Sequence, residues 1–147
     1  MRLPPAVADA VRRHAERTFP EECCGILIGR HRRNDEHEPG GATVVDTAMP
    51  AENVAAGDRR SRYDIDARAL LRAHREARET GREVVGYYHS HPLHPAVPSA
   101  RDREHAWPGV GYLIVAVDPG GAAAEIRCWR LDGDGDWREQ SWSTYPT

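Results

Sequence analysis

Residues 83–102 read EVVGYYHSHPLHPAVPSARD, and the change of character along this stretch decides the architecture. Val84, Val85 and the paired tyrosines form a short run with apolar groups on both faces, as in a central strand covered on each side. The run of Glu83 to Tyr88 gives way to a histidine cluster and then to the segment Pro92 to Pro98, whose prolines suit neither a strand interior nor a helix. Ser99 follows, with Asp102 three positions on, the sequence form of a helix N-cap. The stretch therefore predicts a buried strand, a loop, and a short helix that Trp107-Pro108-Gly109 closes after about two turns.

Working outward, Leu3, Val7, Ala10, Val11 and Ala15 recur at spacings of three and four behind Pro4 and Pro5, which predicts a first helix from about Pro5 to Thr18. Cys23 to Gly29 and Thr43 to Val45 read as paired strands, joined by a polar, turn-rich loop from His31 to Gly41. Met49 to Ser61 lacks a clear period and reads as an irregular connection. Asp64 or Asp66 caps a second helix in which Ala67, Leu70, Leu71, His74 and Ala77 line one stripe, and Gly81 stops it. Tyr112 to Val117 is a central strand, Asp118 to Gly121 a turn, Glu125 to Leu131 a strand, and Trp137 to Trp142 a last strand. Helices interleaved with early strands and followed by a meander give an α/β or α+β class, with a mixed central β-sheet flanked by helices.

At 147 residues the chain is expected to form one domain, 1–147, around a single core. Hydrophobic residues make up 39% before glycine is counted, an ordinary globular value that excludes wholesale disorder. Twenty basic against 23 acidic side chains leave a net charge of −3, which argues against a nucleic-acid partner. The basic residues are all arginine, so Schiff-base chemistry on lysine is excluded. No run reaches the length of a membrane span, and Met1 to Ala10 lacks the pattern of a secretory leader, so a soluble cytoplasmic protein without membrane attachment is expected. Cys23, Cys24 and Cys128 are an odd set with two adjacent, a poor disulfide framework that suits a reducing compartment.

His89, His91, His94 and His105 crowd into one stretch, where a metal search begins. Residues two apart on a strand share a face about 6.6 Å apart at Cα, and two imidazoles leaning together can share one ion at nitrogen distances of about 2.0–2.1 Å. His89 and His91 meet that condition. A hydrolytic site needs a third protein ligand and an open corner, and Asp102, one turn into the short helix, is the best placed to complete it. It can be a ligand and part of a capping box at once. Glu22, Cys24 and Ile26 fall on one face of the first strand. Cys24 therefore reads either as a neighbour of the metal or as a small buried hydrophobe. His105 lies on the face of Asp102, either behind the ligands or on the surface, and His94 on the rim. Asp132-Gly-Asp134-Gly-Asp136 mimics the start of a calcium loop, but Trp137 stands where glycine is needed, so it reads as a hairpin turn.

The full string His89-Ser90-His91-Pro92, six residues, Ser99, two residues, Asp102 resembles the signature of the JAMM/MPN-plus metalloproteases, with a glutamate upstream at the start of a strand. The resemblance implies a cytidine-deaminase-like fold and a Zn2+ site held by His89, His91 and Asp102. It further implies Glu22 as the general base and Ser99 as a hydrogen-bond donor to the oxyanion, with no other cofactor. The family's spacing of its glutamate to the glycine of the strand selects Glu22 over Glu21. Asn53 falls where the family often carries an asparagine, a candidate for substrate binding. Family members cut after the C-terminal Gly-Gly of ubiquitin-like proteins, so the implied partner is a ubiquitin-like protein or sulfur carrier with that terminus. Only eight residues separate Asp102 from Gly111, leaving no room for a long insertion and favouring a small sulfur-carrier adduct over polyubiquitin. The alternatives are a non-catalytic scaffold that binds a protein partner, and a hydrolase of nucleobases or small amides, against which the missing Pro-Cys-x-x-Cys pair argues.

Overall fold

The computed structural model describes residues 1–32 and 41–146. In chain order the elements are β1 (Arg2–Leu3), α1 (Pro5–Thr18), β2 (Cys24–Arg32), β3 (Ala42–Ala51), α2 (Ala67–Glu79), β4 (Glu83–Pro92), α3 (Ala100–His105), β5 (Gly111–Val117), β6 (Ala123–Leu131), β7 (Trp137–Gln140) and β8 (Ser143–Thr144). The strands make one mixed sheet ordered β7-β6-β5-β4-β2-β3-β1-β8. β4 lies at its centre, antiparallel to β2 and parallel to β5, which is the mixed sheet flanked by helices that the pattern predicts.

α1 begins on Pro5, whose missing N–H costs nothing at a helix start. Its buried stripe of Val7, Ala8, Val11 and Ala15 packs on Leu27, Val45, Val85, Leu113 and Val115. The opposite face of the sheet receives α2, whose N-terminus is capped by Asp66 accepting from the Arg68 N–H. The stripe that α2 buries is Ala69, Ala73 and Ala77 against Ile26 and Ile28. Of the predicted stripe, Ala77 is buried here and Leu70 packs half-buried against the same cluster, whereas Leu71 is 67% exposed and Ala67 and His74 face solvent. Small side chains at i, i+4 and i+8 let the helix backbone settle close to the bulky β2 isoleucines, and this fit outweighs the larger apolar area of Leu71. Gly81, at φ +66°, ends α2. The Arg82 N–H reaches the Ala77 carbonyl at 2.7 Å and the Gly81 N–H reaches Arg78 at 3.3 Å, the paired bonds of a Schellman ending.

β4 carries one extra residue against β2: Leu27 pairs with Gly86 and Ile28 with Val84, leaving Val85 as a bulge. The bulge resets the alternation, so Val84 and Tyr87 face α2 whereas Val85 and Tyr88 face α1. At Gly25 a Cβ would be driven into the ring of Tyr88, which is 1% exposed. Gly25→Ala is therefore expected to cost about 1–3 kcal/mol of stability through overpacking, measured as a lower urea midpoint at unchanged m-value.

The strands differ from the sequence reading in several places: β1 has no counterpart in it, and β2 runs on through His31 and Arg32, which that reading places in the loop. β3 continues through Met49 to Ala51, paired with Cys24 to Ile26. Among the described residues β1 meets β3 only at Val44, so Pro50 sits where no second neighbour needs its N–H. β4 runs past Tyr88 to Pro92, taking the histidines into the sheet. The expected last strand divides: β7 pairs with β6, while β8 pairs with β1 at the far edge and Trp142 packs into the α1 core. The turn at 132–136 closes the β6–β7 hairpin, with Asp132 accepting from the Asp134 and Asp136 N–H groups at 3.0 Å. The predicted loop from His31 to Gly41 lies, over 33–40, outside the described residues. No helix among the described residues is long and apolar enough to cross a membrane.

Candidate metal centre and active site

The site forms where β4 leaves the middle of the sheet. His89 and His91 project from one face of β4, each with its backbone paired to β5 at Ile114 and Ala116. The loop after them is pinned at four points. The Leu93 N–H donates to the Val117 carbonyl at 2.9 Å, the Trp129 Nε1–H donates to the Ala96 carbonyl at 2.9 Å, His91 Nδ1 meets the Pro95 carbonyl at 2.9 Å, and Ala96 is fully buried. Pinned in this way, the loop turns α3 back over the end of β4. Ser99 and Asp102 then close a capping box: Ser99 Oγ accepts from the Asp102 N–H at 3.0 Å, and the Ser99 N–H donates to Asp102 Oδ2 at 2.8 Å.

These constraints bring two imidazole nitrogens and both oxygens of one carboxylate together. His89 Nε2 and His91 Nε2 are 3.1 Å apart, His91 Nε2 and Asp102 Oδ2 are 3.1 Å apart, and His89 Nε2 and Asp102 Oδ1 are 3.2 Å apart. Ligands at about 2.0–2.1 Å from a tetrahedral ion stand about 3.3 Å from one another, and each of the three distances is within a few tenths of an ångström of that value, the two to Asp102 being made by different oxygens. The tautomer points the same way. Because the Pro95 carbonyl can only accept, Nδ1 of His91 carries the hydrogen and Nε2 of the neutral ring presents a lone pair to its two neighbours. Lone pairs and a carboxylate facing each other at such distances call for a cation between them.

Glu22 lies just before β2 and is 4% exposed, with Oε1 3.9 Å from His91 Nε2. Glu22, His89 and His91 offer donor atoms that lie within 4.8 Å of one another, so the carboxylate stands beside the tighter cluster rather than in it. Burial pushes its carboxyl up to about 8, against the opposing pull of His91. Burial also lowers His89, keeping that ring neutral. Asp102, in spite of burial, is held well below the usual carboxylate range by the facing His89 and His91 and by the Ser99 N–H. His91 moves upward although burial opposes it, because the facing Asp102 carboxylate and the Pro95 carbonyl favour the charged ring.

A cleft of about 370 Å³ opens beside the cluster, lined by Glu22, His91, Ser99, Arg60, Ser61 and Val97. His94 is exposed on its rim, as expected. His105 is exposed, on the wall of a separate aromatic pocket with Tyr63, Tyr87 and Trp107, which settles its two readings in favour of the surface. Cys24 is the buried hydrophobe: its Sγ lies 3.8 and 3.7 Å from the Ala51 and Glu52 carbonyls, and burial pushes the thiol up to about 12. Asn53 does not line this cleft; both ends of its amide bond backbone groups, those of Glu22, Arg62, Ala55 and Asp64. Sequence reasoning missed Tyr63, whose ring stacks on His89 at 4.4 Å between centroids and 23° between planes. Nδ1 of His89 is buried with no hydrogen-bond partner, so stacking takes the orienting role that a hydrogen bond usually has for a ligating histidine. Tyr63 lies in an unperiodic connection, and only the tertiary fold brings it to His89.

Residues 4–132 match the family of prokaryotic homologs of the JAB domain. The chain is 40% identical over 100 residues to a desampylase of Haloferax volcanii, covering 67% of this chain and 65% of the relative; the match thus spans just under two thirds of that relative's length. It is 31% identical over 116 residues to a probable TtuB-protein conjugate cleaving protease of Thermus thermophilus, covering 79% of this chain and 70% of the relative. Among solved structures, a Desulfitobacterium hafniense protein superposes with a TM-score of 0.81 at 28% identity, over 99% of this chain and 93% of the other. A JAB1/MPN domain protein of Archaeoglobus fulgidus superposes with a TM-score of 0.58 at 16% identity, over 99% of this chain and 96% of the other, a likeness of fold.

Proposed function

Because the chain belongs to the family of prokaryotic JAB-domain homologs, we propose that it is a zinc-dependent peptidase or isopeptidase, acting in the cytoplasm as one domain. Its substrate in this reading is the bond that follows the C-terminal Gly-Gly of a ubiquitin-like sulfur-carrier protein. The observation that carries the proposal is the cluster of His89, His91 and Asp102, in which the two Nε2 atoms stand 3.1 Å apart and each faces one Asp102 oxygen at 3.1–3.2 Å, beside a cleft that Glu22 and Ser99 line. Both relatives are named for a related activity, one as a desampylase and one as a conjugate cleaving protease.

His89, His91 and Asp102 would hold the zinc, which when bound supplies Lewis acidity to the scissile carbonyl and acidifies water. Glu22 takes a proton from the attacking water on a carboxylate oxygen and returns it to the leaving amine. Its carboxyl must be ionised to begin, and a dication beside it favours that form against the burial that disfavours it. Ser99 uses an Oγ lone pair to accept from the Asp102 N–H, which leaves its hydroxyl hydrogen free to donate to the oxyanion that develops in the cleft. The Ser99 N–H in turn fixes the Asp102 carboxylate. A Gly-Gly tail brings almost no side chain, so it suits a narrow cleft that reads backbone.

The test is a carrier ending in Gly-Gly, joined at that terminus to an amino acid or to a lysine side chain, incubated with the zinc-loaded protein. Release of the carrier is expected, abolished by a chelator and restored by zinc. A conjugate left intact by protein with one zinc per chain would replace this reading by that of a protein-binding scaffold.

A further inference from the structure

Glu22 stands outside the sheet ladder, whose pairing begins at Cys24, so something else must fix the backbone of the proposed base. The segment from Glu52 to Asp66 leaves β3 and comes back on itself. Asn53 bridges Ile65, the Val54 N–H donates to the Asp64 carbonyl at 2.9 Å, and the Asp66 N–H donates to Glu52 at 3.3 Å. Within this loop the Asn53 side chain makes four hydrogen bonds. Nδ2 donates to the Glu22 carbonyl and to the Arg62 carbonyl, each at 3.0 Å. Oδ1 accepts from the Ala55 N–H at 3.0 Å and the Asp64 N–H at 3.2 Å. The orientation of the amide is fixed by chemistry, since carbonyls only accept and N–H groups only donate.

On the other side of Glu22, its own N–H donates to the Arg59 carbonyl at 2.8 Å. Both backbone groups of Glu22 are therefore held by the 53–62 segment, and Asn53 is the side chain that ties that segment both to Glu22 and to itself. We propose that Asn53 is a positioning residue for catalysis, setting the backbone of Glu22 and through it the carboxylate 3.9 Å from His91 Nε2. The proposed ligands stand on β4 and α3, with no hydrogen bond to Asn53, so the effect of Asn53 falls on the base and not on metal retention. This inference rests on the reading of Glu22 as the general base.

Asn53→Asp isolates the role. It keeps an oxygen for the Ala55 and Asp64 N–H groups, removes both donated bonds, and sets a carboxylate against two carbonyls. Zinc content should remain one per chain, with KM within about threefold of wild type and kcat lower by about 10- to 100-fold, the scale of an ångström's misplacement of a reacting group. The deciding arm is the same substitution made in Glu22→Gln, assayed in single turnover at high enzyme concentration. A residue that acts through the Glu22 carboxylate changes that residual rate by less than about threefold. A full additive loss in that background, a loss of zinc, or an unchanged kcat overturns the proposal. Asn53→Ala, which removes the bonds without adding charge, is the second variant. If both variants melt below the assay temperature, Asn53 serves folding and the proposal fails. Glu22→Gln turning over at the wild-type rate removes the base itself, an outcome separate from a wild-type rate in Asn53→Asp alone.

Discussion

Glu22→Gln is expected to lower kcat by about 10²- to 10⁴-fold, the range that a positioned general base contributes, with KM and zinc content unchanged. The substitution is isosteric, and the side chain is 4% exposed, so shape and packing are kept while the one property required of a base is lost. An amide can still accept a hydrogen bond from water but cannot carry its proton to the leaving amine. The pH profile offers a second readout. With Glu22 as the base, wild-type turnover is expected to fall as pH drops through its pKa in the zinc-loaded protein, because only the ionised carboxylate accepts a proton. That acid limb should vanish from the residual activity of Glu22→Gln. Equal kcat in the two proteins would remove Glu22 from the mechanism, whatever the metal content.

Much of this geometry is local in sequence, which explains how far reading alone could go. The spacing of His89 and His91 on a strand and the Ser99–Asp102 cap are short-range features, and their residue types suffice to place them on one face or one helix turn. α1 was legible in its bounds and in Val7, Val11 and Ala15, which fit against several strands at once, although Ala8 is buried in place of the predicted Ala10 and Leu3 belongs to β1. α2 was not, because periodicity reports apolar content, whereas the choice between Leu71 and the alanines depends on how closely the helix approaches Ile26 and Ile28. The division of β7 from β8 was equally hidden, since β8 gains its partner from Arg2 and Leu3 at the opposite end of the chain. The connection between β3 and α2 was the largest omission. Its order comes from the hydrogen bonds of one asparagine and from the Tyr63–His89 stack, long-range contacts with no period to betray them.

Asp102→Asn is expected to abolish zinc retention while leaving the fold intact, and the opposite pairing of results would identify a different ligand set. The amide oxygen can still accept the Ser99 N–H that Asp102 Oδ2 accepts at 2.8 Å, and the backbone bond from residue 102 to Ser99 Oγ is untouched. α3 therefore keeps its cap, whose loss would cost about 1 kcal/mol. The amide NH₂ can also donate to the imidazole lone pairs that the carboxylate now faces, so the metal-free variant should melt within a few degrees of metal-free wild type. What disappears is the anion. Two neutral imidazoles and a neutral amide hold a dication far more weakly than the same rings with a carboxylate. After dialysis, zinc per chain should fall from about one to below about 0.1, and peptidase activity to the level of chelated wild type. A zinc-binding wild type should gain about 2.7 kcal/mol of stability when free zinc is a hundredfold above its dissociation constant, and this thermal shift should be missing from the variant. The competing set is Glu22 with the two histidines, whose donor atoms also lie within 4.8 Å of one another. If Glu22 were the third ligand, Asp102→Asn would retain zinc and Glu22→Gln would lose it. Each imidazole Nε2 has one Asp102 oxygen at 3.1–3.2 Å, against 3.9 Å from His91 to Glu22, which favours the first assignment, and the two variants measured side by side decide between them.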